Sequence, residues 1–465
     1  MNSNLYDFGL VGLGVMGRNF LLNIADHDFA VIGLDLDLEK VNSLQQEGSD
    51  RKVRATQDKT EFVRSLVRPR KIMMLVPAGG PVDAVINDLL PLLDKGDIII
   101  DGGNSFFQDT DRRIESLKTS GISFFGLGVS GGAEGARRGP SMMAGGDADA
   151  YSFVQPIFEA VSAKVKGEPC VARVGNGSAG HYVKMVHNGI EYGLMQIIAE
   201  SYDLMKYALG YSNQQIADRF DLWNAGRLQS FLIEITADIF RQKDELTGKD
   251  LIDLISDKAK QKGTGKWISQ NALDLGTPIP AIDASVSMRA ISSFKEERER
   301  AMLLYPKSQD DPTMITIEEL ESTVFFSFII TFAQGMKQLD EASKLYGFDL
   351  HLAEIAKIWR GGCIIRASLL EEIRTAFADN NDLEHLLFES DIVAMVNALL
   401  PKVNNVVGVA ANTGIPVLGI GASLNYFNAF RSARLPLNLI QAQRDYFGAH
   451  TYERTDRPGT FHTNW

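Results

Sequence analysis

Cysteine is nearly missing from this chain: Cys170 and Cys363 are the only two in 465 residues. Two thiols so far apart in sequence exclude a disulfide framework and a cysteine-built zinc site, and they fit a reducing compartment. An excess of positive charge is missing too. Forty-seven Lys plus Arg stand against 59 Asp plus Glu, a net charge of −12. That balance argues against nucleic acid or an anionic membrane surface as the main partner, since both require a basic face. It leaves room for a small anionic ligand held by a local cluster of cations. The most apolar stretch, Val324 to Ala333, is ten residues long and carries Ser327 and Thr331, too short to span a bilayer. The N-terminus has no basic region leading into an apolar run and a cleavage site, so no secretory signal is expected. The expectation is a cytoplasmic protein with neither a membrane nor a nucleic-acid partner.

What is present is an ordinary globular balance, 45% apolar and 23% charged, on a length that suggests roughly three domains. From Leu5 to about Gly175 the pattern alternates. Short apolar runs at Phe8–Val11, Phe29–Leu34, Ile72–Val76, Ile98–Ile100 and Ser123–Leu127 read as strands. Amphipathic segments at Gly17–Ala25, Leu38–Gln46, Val82–Leu93 and Asp111–Thr119 lie between them. Strands alternating with helices predict a parallel sheet covered on both faces. After Gly175-Asn176-Gly177 the strands stop, and helix periodicity continues to about Phe427. Within it Trp223-Asn-Ala-Gly226 is echoed by Trp359-Arg-Gly-Gly362, thin evidence of an internal duplication. From Arg431 the chain turns polar and aromatic, a tail either frayed or pinned to another surface. The fold class is therefore α/β: a Rossmann-like parallel-sheet domain over 1–177, a large all-helical domain over 178–435 and a C-terminal tail over 436–465.

The first strand runs into Gly12-Leu13-Gly14-Val15-Met16-Gly17 and then a helix. In a dinucleotide site Gly12 makes the tight turn, Gly14 admits the pyrophosphate and Gly17 allows close helix-to-strand packing, with the phosphates on the helix N-terminus. Asp35, at the end of the second strand, stands where an acid hydrogen-bonds the adenosine ribose of NAD. Leu36 and Asp37 follow, with no Arg to meet a 2′-phosphate. NAD is favoured over NADP, with Arg18 the nearest rival phosphate ligand. The alternative reading of Asp37 is a cap for the helix that starts near Leu38.

The most informative helix is Gly180-His-Tyr-Val-Lys-Met-Val-His-Asn-Gly-Ile-Glu-Tyr192. Lys184, His187, Asn188 and Glu191 fall at i, i+3, i+4 and i+7 and share one face, while Val183, Val186, Ile190 and Leu194 form an apolar stripe. A base, an imidazole, an amide and an acid on one face make a reagent set; the plainer alternative is a solvated face with an i,i+4 His–Glu pair. No third His, Cys or carboxylate joins His187 and Glu191, so a metal is not expected. Asp101-Gly-Gly-Asn104-Ser105 and Gly128-Val-Ser130-Gly131-Gly132 follow strands and offer backbone donors where open parallel sheets bind ligands. Lys262 and Thr264, in Gln261-Lys-Gly-Thr-Gly-Lys-Trp267, together with Arg289 and Arg444, are candidates for a phosphate monoester.

These segments, with Trp359-Arg-Gly-Gly-Cys-Ile-Ile-Arg366 and Leu439-Ile-Gln-Ala-Gln-Arg-Asp-Tyr-Phe-Gly-Ala-His-Thr-Tyr452, resemble the 6-phosphogluconate dehydrogenase family, decarboxylating members of the 3-hydroxyacid dehydrogenase superfamily. The resemblance runs almost from end to end. It implies oxidative decarboxylation of 6-phosphogluconate to ribulose 5-phosphate and carbon dioxide, in the pentose phosphate pathway and gluconate utilisation. It makes Lys184 the general base and Glu191 the acid that protonates C1. His187, Asn188 and Asn104 would orient hydroxyls, while Ser130, Gly131 and Gly132 hold the carboxylate. Tyr192, Lys262, Thr264 and Arg289 would bind the phosphate. Arg444 and His450 would enter from a second subunit, which implies a homodimer with exchanged tails. The cofactor would lie against Gly12, Gly14, Val15, Met16, Gly17, Asp35, Leu36, Asp37, Val76, Pro77, Ala78 and Asn104. The family commonly has Asn-Arg-Thr where Asp35-Leu36-Asp37 stands, and many members have Lys near Val76-Pro77; both departures point to NAD. A catalytically silent NAD-binding redox sensor and a non-decarboxylating 3-hydroxyacid dehydrogenase are the competing readings.

Overall fold

A computed structural model describes residues 5–260, 263–305 and 315–465. Its sheet is built from β1 (Phe8–Val11), β2 (Val31–Leu34), β3 (Val53–Thr56), β4 (Lys71–Met74), β5 (Ile98–Asp101), β6 (Ser123–Ser130) and β7 (Ser141–Ala144), with Val171–Arg173 as its last strand. β3, β2, β1, β4, β5 and β6 lie side by side in that order, all parallel. The chain therefore winds outward from β1 in both directions, and the strand order reverses between β1 and β4, where such sheets bind ligands. β7 runs antiparallel to β6, pairing Ser130 with Ser141, and the last strand pairs parallel to β7. Almost every residue of β1, β2, β5 and β6 is buried, as strands covered on both faces require.

The long helix Ala179–Tyr207 leaves this sheet directly and spans 29 residues. Its start is tied to the sheet domain by Ser178, whose backbone N–H and hydroxyl donate to the two carboxylate oxygens of Asp111 at 3.1 and 2.9 Å. Its buried residues join one large core with the 30-residue helix Ile317–Tyr346. Each long helix is followed by two shorter ones: Asn213–Asn224 and Phe231–Arg241 after the first, Leu352–Trp359 and Leu369–Asp379 after the second. Trp223 and Trp359 occupy matching places in these hairpins, and a bridge pairs Ser230 with Ala367. The repeated order of elements gives the thin sequence echo a structural counterpart.

Two expectations are corrected. Strands do not end at Gly177, because Tyr452–Glu453 pairs antiparallel with Thr460–Phe461 in the tail. Nor is Val324–Ala333 the segment nearest to a membrane span: Ser390–Thr413 is long and apolar enough by length and composition. In the fold that helix buries Val396, Leu399, Val403, Val406 and Ala410 in the common core. The tail itself begins with the helix Leu437–Gly448.

Candidate active site

The glycine motif does what its spacing requires. Gly12 has φ +97°, and a Cβ there would lie 2.5 Å from the Leu75 carbonyl oxygen. A Cβ on Gly17 would come 1.9 Å from the Gly12 carbonyl, so only glycine lets the helix Val15–Asp26 start this close to β1. At Gly14, the helix N-cap, a Cβ would meet nothing within 4 Å. Val15 is exposed and Met16 partly so. The motif thus leaves open space over a helix N-terminus, the geometry a dinucleotide pyrophosphate needs.

Beside it lies a cavity of about 700 Å³ lined by Gly12, Asp35, Leu36, Asp37, Lys40 and Val76 among others. Asp35 Oδ2 accepts from the Leu13 N–H at 2.7 Å, and Oδ1 accepts from the Asp37 N–H at 2.9 Å. Asp35 therefore holds the glycine loop as well as facing the cavity. Asp37 does cap the next helix, accepting from the Glu39 N–H at 3.0 Å. Lys40, which no sequence motif marks, lies 3.8 Å from Asp35 and 3.7 Å from Asp37. Leu36 is 90% exposed at the cavity lip. Gln57, Lys59 and Asp88 also line it, and no sequence motif marks them. Arg18 is engaged by Glu47 at 3.3 Å.

Pro77 and Ala78 are exposed on the loop after β4, and Asn104 is exposed on the loop after β5. The two loops share one buried cation. Arg113, 1% exposed, donates to Asp83 Oδ1 at 2.8 Å and to the Gly79 carbonyl at 3.0 Å, and reaches the Ser105 hydroxyl at 3.5 Å. It also lies 3.6 Å from the fully buried Asp101 carboxylate, which accepts from Ser105 and the Gly103 N–H. A single Arg within an amphipathic helix carries no sequence signal of such a role.

The reagent face of Ala179–Tyr207 is not a solvated one. Lys184 is 7% exposed, His187 is fully buried and Asn188 is buried. Only the Glu191 side chain, 21% exposed, opens outward. Burial drives both titrating groups toward neutrality: it pushes the Lys184 ammonium down from its ordinary 10.5 and the Glu191 carboxyl up from 4.5, against their mutual attraction. His187 falls well below 6.5, because its burial and the nearby Lys184 charge both disfavour imidazolium. The neutral ring is held at both nitrogens, Nε2 3.1 Å from the Ser130 hydroxyl and Nδ1 3.2 Å from Asn188 Oδ1. Its Nδ1 lies 3.9 Å from Glu191, so the i,i+4 pair exists as a contact and not as a charged bridge. Ser130 ends β6, and Gly131, at φ +109°, caps the following turn. Behind them lies the segment from Trp359 to Gly362. The Trp359 ring stands edge-on to His187 at 5.7 Å, and the Gly362 carbonyl would be 2.5 Å from a Cβ on Gly131.

Farther along the same helix, the Arg289 guanidinium stacks on the Tyr192 ring at 3.5 Å and donates to the Lys260 carbonyl at 3.0 Å. Thr264 opens the helix Thr264–Leu275 a few residues later. Tyr192, Arg289 and the Lys260 carbonyl therefore adjoin, and Lys262 lies outside the described residues. Arg444 and His450 are not gathered with them. Both are exposed on the tail, where Arg444 comes within 3.4 Å of Gln441 and the Phe447 ring packs against His450. Among the described residues no group of three or more His, Cys, Asp or Glu is arranged to hold a metal ion.

A glycine loop over a helix N-terminus, a cavity of about 700 Å³ at the strand-order reversal and a desolvated Lys184/Glu191 pair on the helix that packs against β6 define a dinucleotide-dependent dehydrogenase. Residues 7–175 match the family profile described as the NAD binding domain of 6-phosphogluconate dehydrogenase, and residues 180–465 match its C-terminal domain. The chain belongs to the 6-phosphogluconate dehydrogenase family. It is 51% identical over 461 residues to the Bacillus subtilis protein named "6-phosphogluconate dehydrogenase, NADP(+)-dependent, decarboxylating", with 98% of each chain covered. To the decarboxylating enzyme of Escherichia coli it is 48% identical, again covering 98% of each. The solved Plasmodium falciparum 6-phosphogluconate dehydrogenase superposes with a TM-score of 0.95 at 43% identity, over 99% of this chain and all of that one.

Proposed function

We propose that this chain oxidises and decarboxylates 6-phosphogluconate to ribulose 5-phosphate, with NAD as its preferred dinucleotide, in the pentose phosphate pathway of the cytoplasm. The observation that carries the reading is the buried pair Lys184 and Glu191, each driven toward its neutral form on one face of one helix. When bound, the dinucleotide supplies the hydride acceptor, held by the Gly12–Gly17 loop, the Asp35–Asp37 turn, Val76, Pro77, Ala78 and Asn104. Neutral Lys184 takes the proton of the 3-hydroxyl as that carbon is oxidised. Protonated Lys184 then polarises the new ketone, so that the β-keto acid releases carbon dioxide and leaves an enediol. Glu191, whose carboxyl burial pushes up from its ordinary value, returns a proton to C1 in its protonated form. Ser130, Gly131 and Gly132 bind the carboxylate before it departs, and Asn104, His187 and Asn188 orient hydroxyls. Tyr192, Lys262, Thr264 and Arg289 bind the phosphate.

NAD is preferred because Asp35 and Asp37 flank the cavity, and their charge engages Lys40, its nearest cation. A 2′-phosphate would meet carboxylates where the family commonly offers Arg. NADP is the competing reading, favoured by the name of the Bacillus subtilis relative and by Lys40 itself. Arg444 and His450 complete the phosphate site of a second copy, in a homodimer that exchanges tails; their exposure within one chain supports this. Steady-state kcat/KM for 6-phosphogluconate with NAD and with NADP tests the proposal. Greater efficiency with NAD is expected. Turnover with neither would end the activity reading, and greater efficiency with NADP would end the cofactor reading.

A further inference from the structure

The helix Leu437–Gly448 buries a single residue, and that residue is charged: Asp445, fully inaccessible. Its neighbours Leu439, Ile440, Tyr446 and Phe447 are all more than half exposed, so apolar packing within the chain does not hold this segment. A polar node does. Asp445 Oδ1 accepts from the Thr451 N–H at 2.9 Å and faces His462 Nδ1 at 2.8 Å. Oδ2 accepts from the Thr463 N–H at 3.0 Å and from the Trp465 indole N–H at 2.9 Å. Four donors saturate the carboxylate, so it has no capacity left for a ligand. Gln441 adds a fifth tie, donating to the Thr451 carbonyl at 2.6 Å.

Two of these bonds, from Asp445 and Gln441 to Thr451, fix the turn that carries His450. Ala449 and Thr451, on either side of it, both lie in the left-handed region, at φ +49° and +61°. Two such non-glycine residues around one side chain persist only where the surroundings over-determine the backbone. Here the over-determination comes from the Asp445 and Gln441 bonds to Thr451. Arg444 precedes Asp445 on the same helix. We infer that Asp445 is a positioning residue, clamping the tail so that Arg444 and His450 are presented in fixed geometry to a phosphorylated sugar acid bound by another copy of the chain. The inference rests on the tail-exchange reading above and explains why the Phe461-His-Thr-Asn-Trp465 segment is pinned: it supplies three of the four donors.

The test uses full-length dimers purified with two different affinity tags. Asp445→Ala should raise KM for 6-phosphogluconate at least tenfold while KM for the dinucleotide stays unchanged, and its effect should be non-additive with His450→Ala. Asp445→Asn, which keeps one acceptor oxygen, should give a smaller rise and serves where Asp445→Ala does not form dimers. An unchanged substrate KM, or a full additive effect on top of His450→Ala, would overturn the positioning role. Mixed dimers test the exchange separately. Pairing Lys184→Ala with Asp445→Ala subunits should restore about half of wild-type activity at the wild-type KM, because the intact site receives the intact tail. Pairing wild type with the Lys184→Ala/Asp445→Ala double variant should leave the one live site with the raised KM. The opposite pattern would mean that each tail serves its own subunit, overturning the exchange while the homodimer KM still judges Asp445.

Discussion

Replacing Glu191 by Gln should convert a two-sided pH profile into a one-sided one. The assigned roles need Lys184 neutral and Glu191 protonated at the same time. With ordinary values of 10.5 and 4.5, the doubly charged pair would dominate near neutral pH. The productive form would be rarer by roughly a million-fold, a cost of about 8 kcal/mol at about 1.36 kcal/mol per pKa unit. Burial moves both values inward, and each unit of narrowing enriches the productive form about tenfold. The attraction between the charged forms works the other way, holding Lys184 up and Glu191 down. In the wild type kcat/KM therefore falls on both the acid and the alkaline side, with limbs that belong to the coupled pair. Glu191→Gln removes one titration and the attraction with it. Activity should then only rise with pH, through the Lys184 ionisation alone, at a midpoint below 10.5. Loss of the general acid should lower turnover by about 10²- to 10⁴-fold. Initial rates across about pH 6 to 11.5, with dinucleotide affinity followed by fluorescence titration, measure both effects. A surviving alkaline limb, or a midpoint at or above 10.5, would refute the assignment of acid and base.

Two further outcomes follow from the cofactor side. Asp35→Asn with Leu36→Arg should shift the kcat/KM ratio toward NADP by at least about tenfold, or about 1.4 kcal/mol; Asn retains an oxygen for the Leu13 N–H that Ala would abandon. An unchanged ratio would locate specificity elsewhere. Arg113→Ala should destabilise the sheet domain by about 3 kcal/mol, because it strips the cation from beside the buried Asp101 carboxylate. Thermal unfolding would register that loss, and a Tm within a degree of wild type would contradict it.

How much of this was legible in the sequence depended on where the determining contacts lie. β1 could be read to the residue, because a four-residue apolar run before a glycine motif is a local signal. β3, β7 and the strand Val171–Arg173 were missed: Val-Arg-Ala-Thr, Ser-Met-Met-Ala and Val-Ala-Arg are too short and mixed to show a period, and only pairing with neighbours makes them strands. The same holds for the site. Lys184, His187, Asn188 and Glu191 share a helix, so spacing alone aligned them. Lys40 acts on Asp37 and Asp35, three and five residues back, while Arg113 and Asp445 act through partners 6 to 34 residues away, and no motif marks any of the three. Asp37 was legible as a helix cap, since a cap is a local feature.

The site's chemistry depends finally on how closely its helix meets the sheet, and that approach is set by glycines. Cβ atoms on Gly126 and Gly128 would lie 2.5 Å from the His181 ring and 2.6 Å from the Lys184 Cβ, and one on Gly180 would lie 2.3 Å from the Gly126 carbonyl. β6 can therefore press its backbone against the first two turns of the helix and exclude water there. That exclusion is the leading cause of the depressed Lys184 value. Gly128→Ala is the sharpest probe, because it adds one methyl group and no charge. The contact at 2.6 Å falls on the stem of Lys184, so the helix or the strand must give way, and water gains access to the ammonium. The pH midpoint assigned to Lys184, measured in the Glu191→Gln background where it titrates alone, should then move up toward 10.5. Overpacking should also cost about 1 to 3 kcal/mol of stability. If the protein is destabilised but the midpoint stays, burial against β6 does not tune the lysine, and its neutrality must come from the substrate or the dinucleotide.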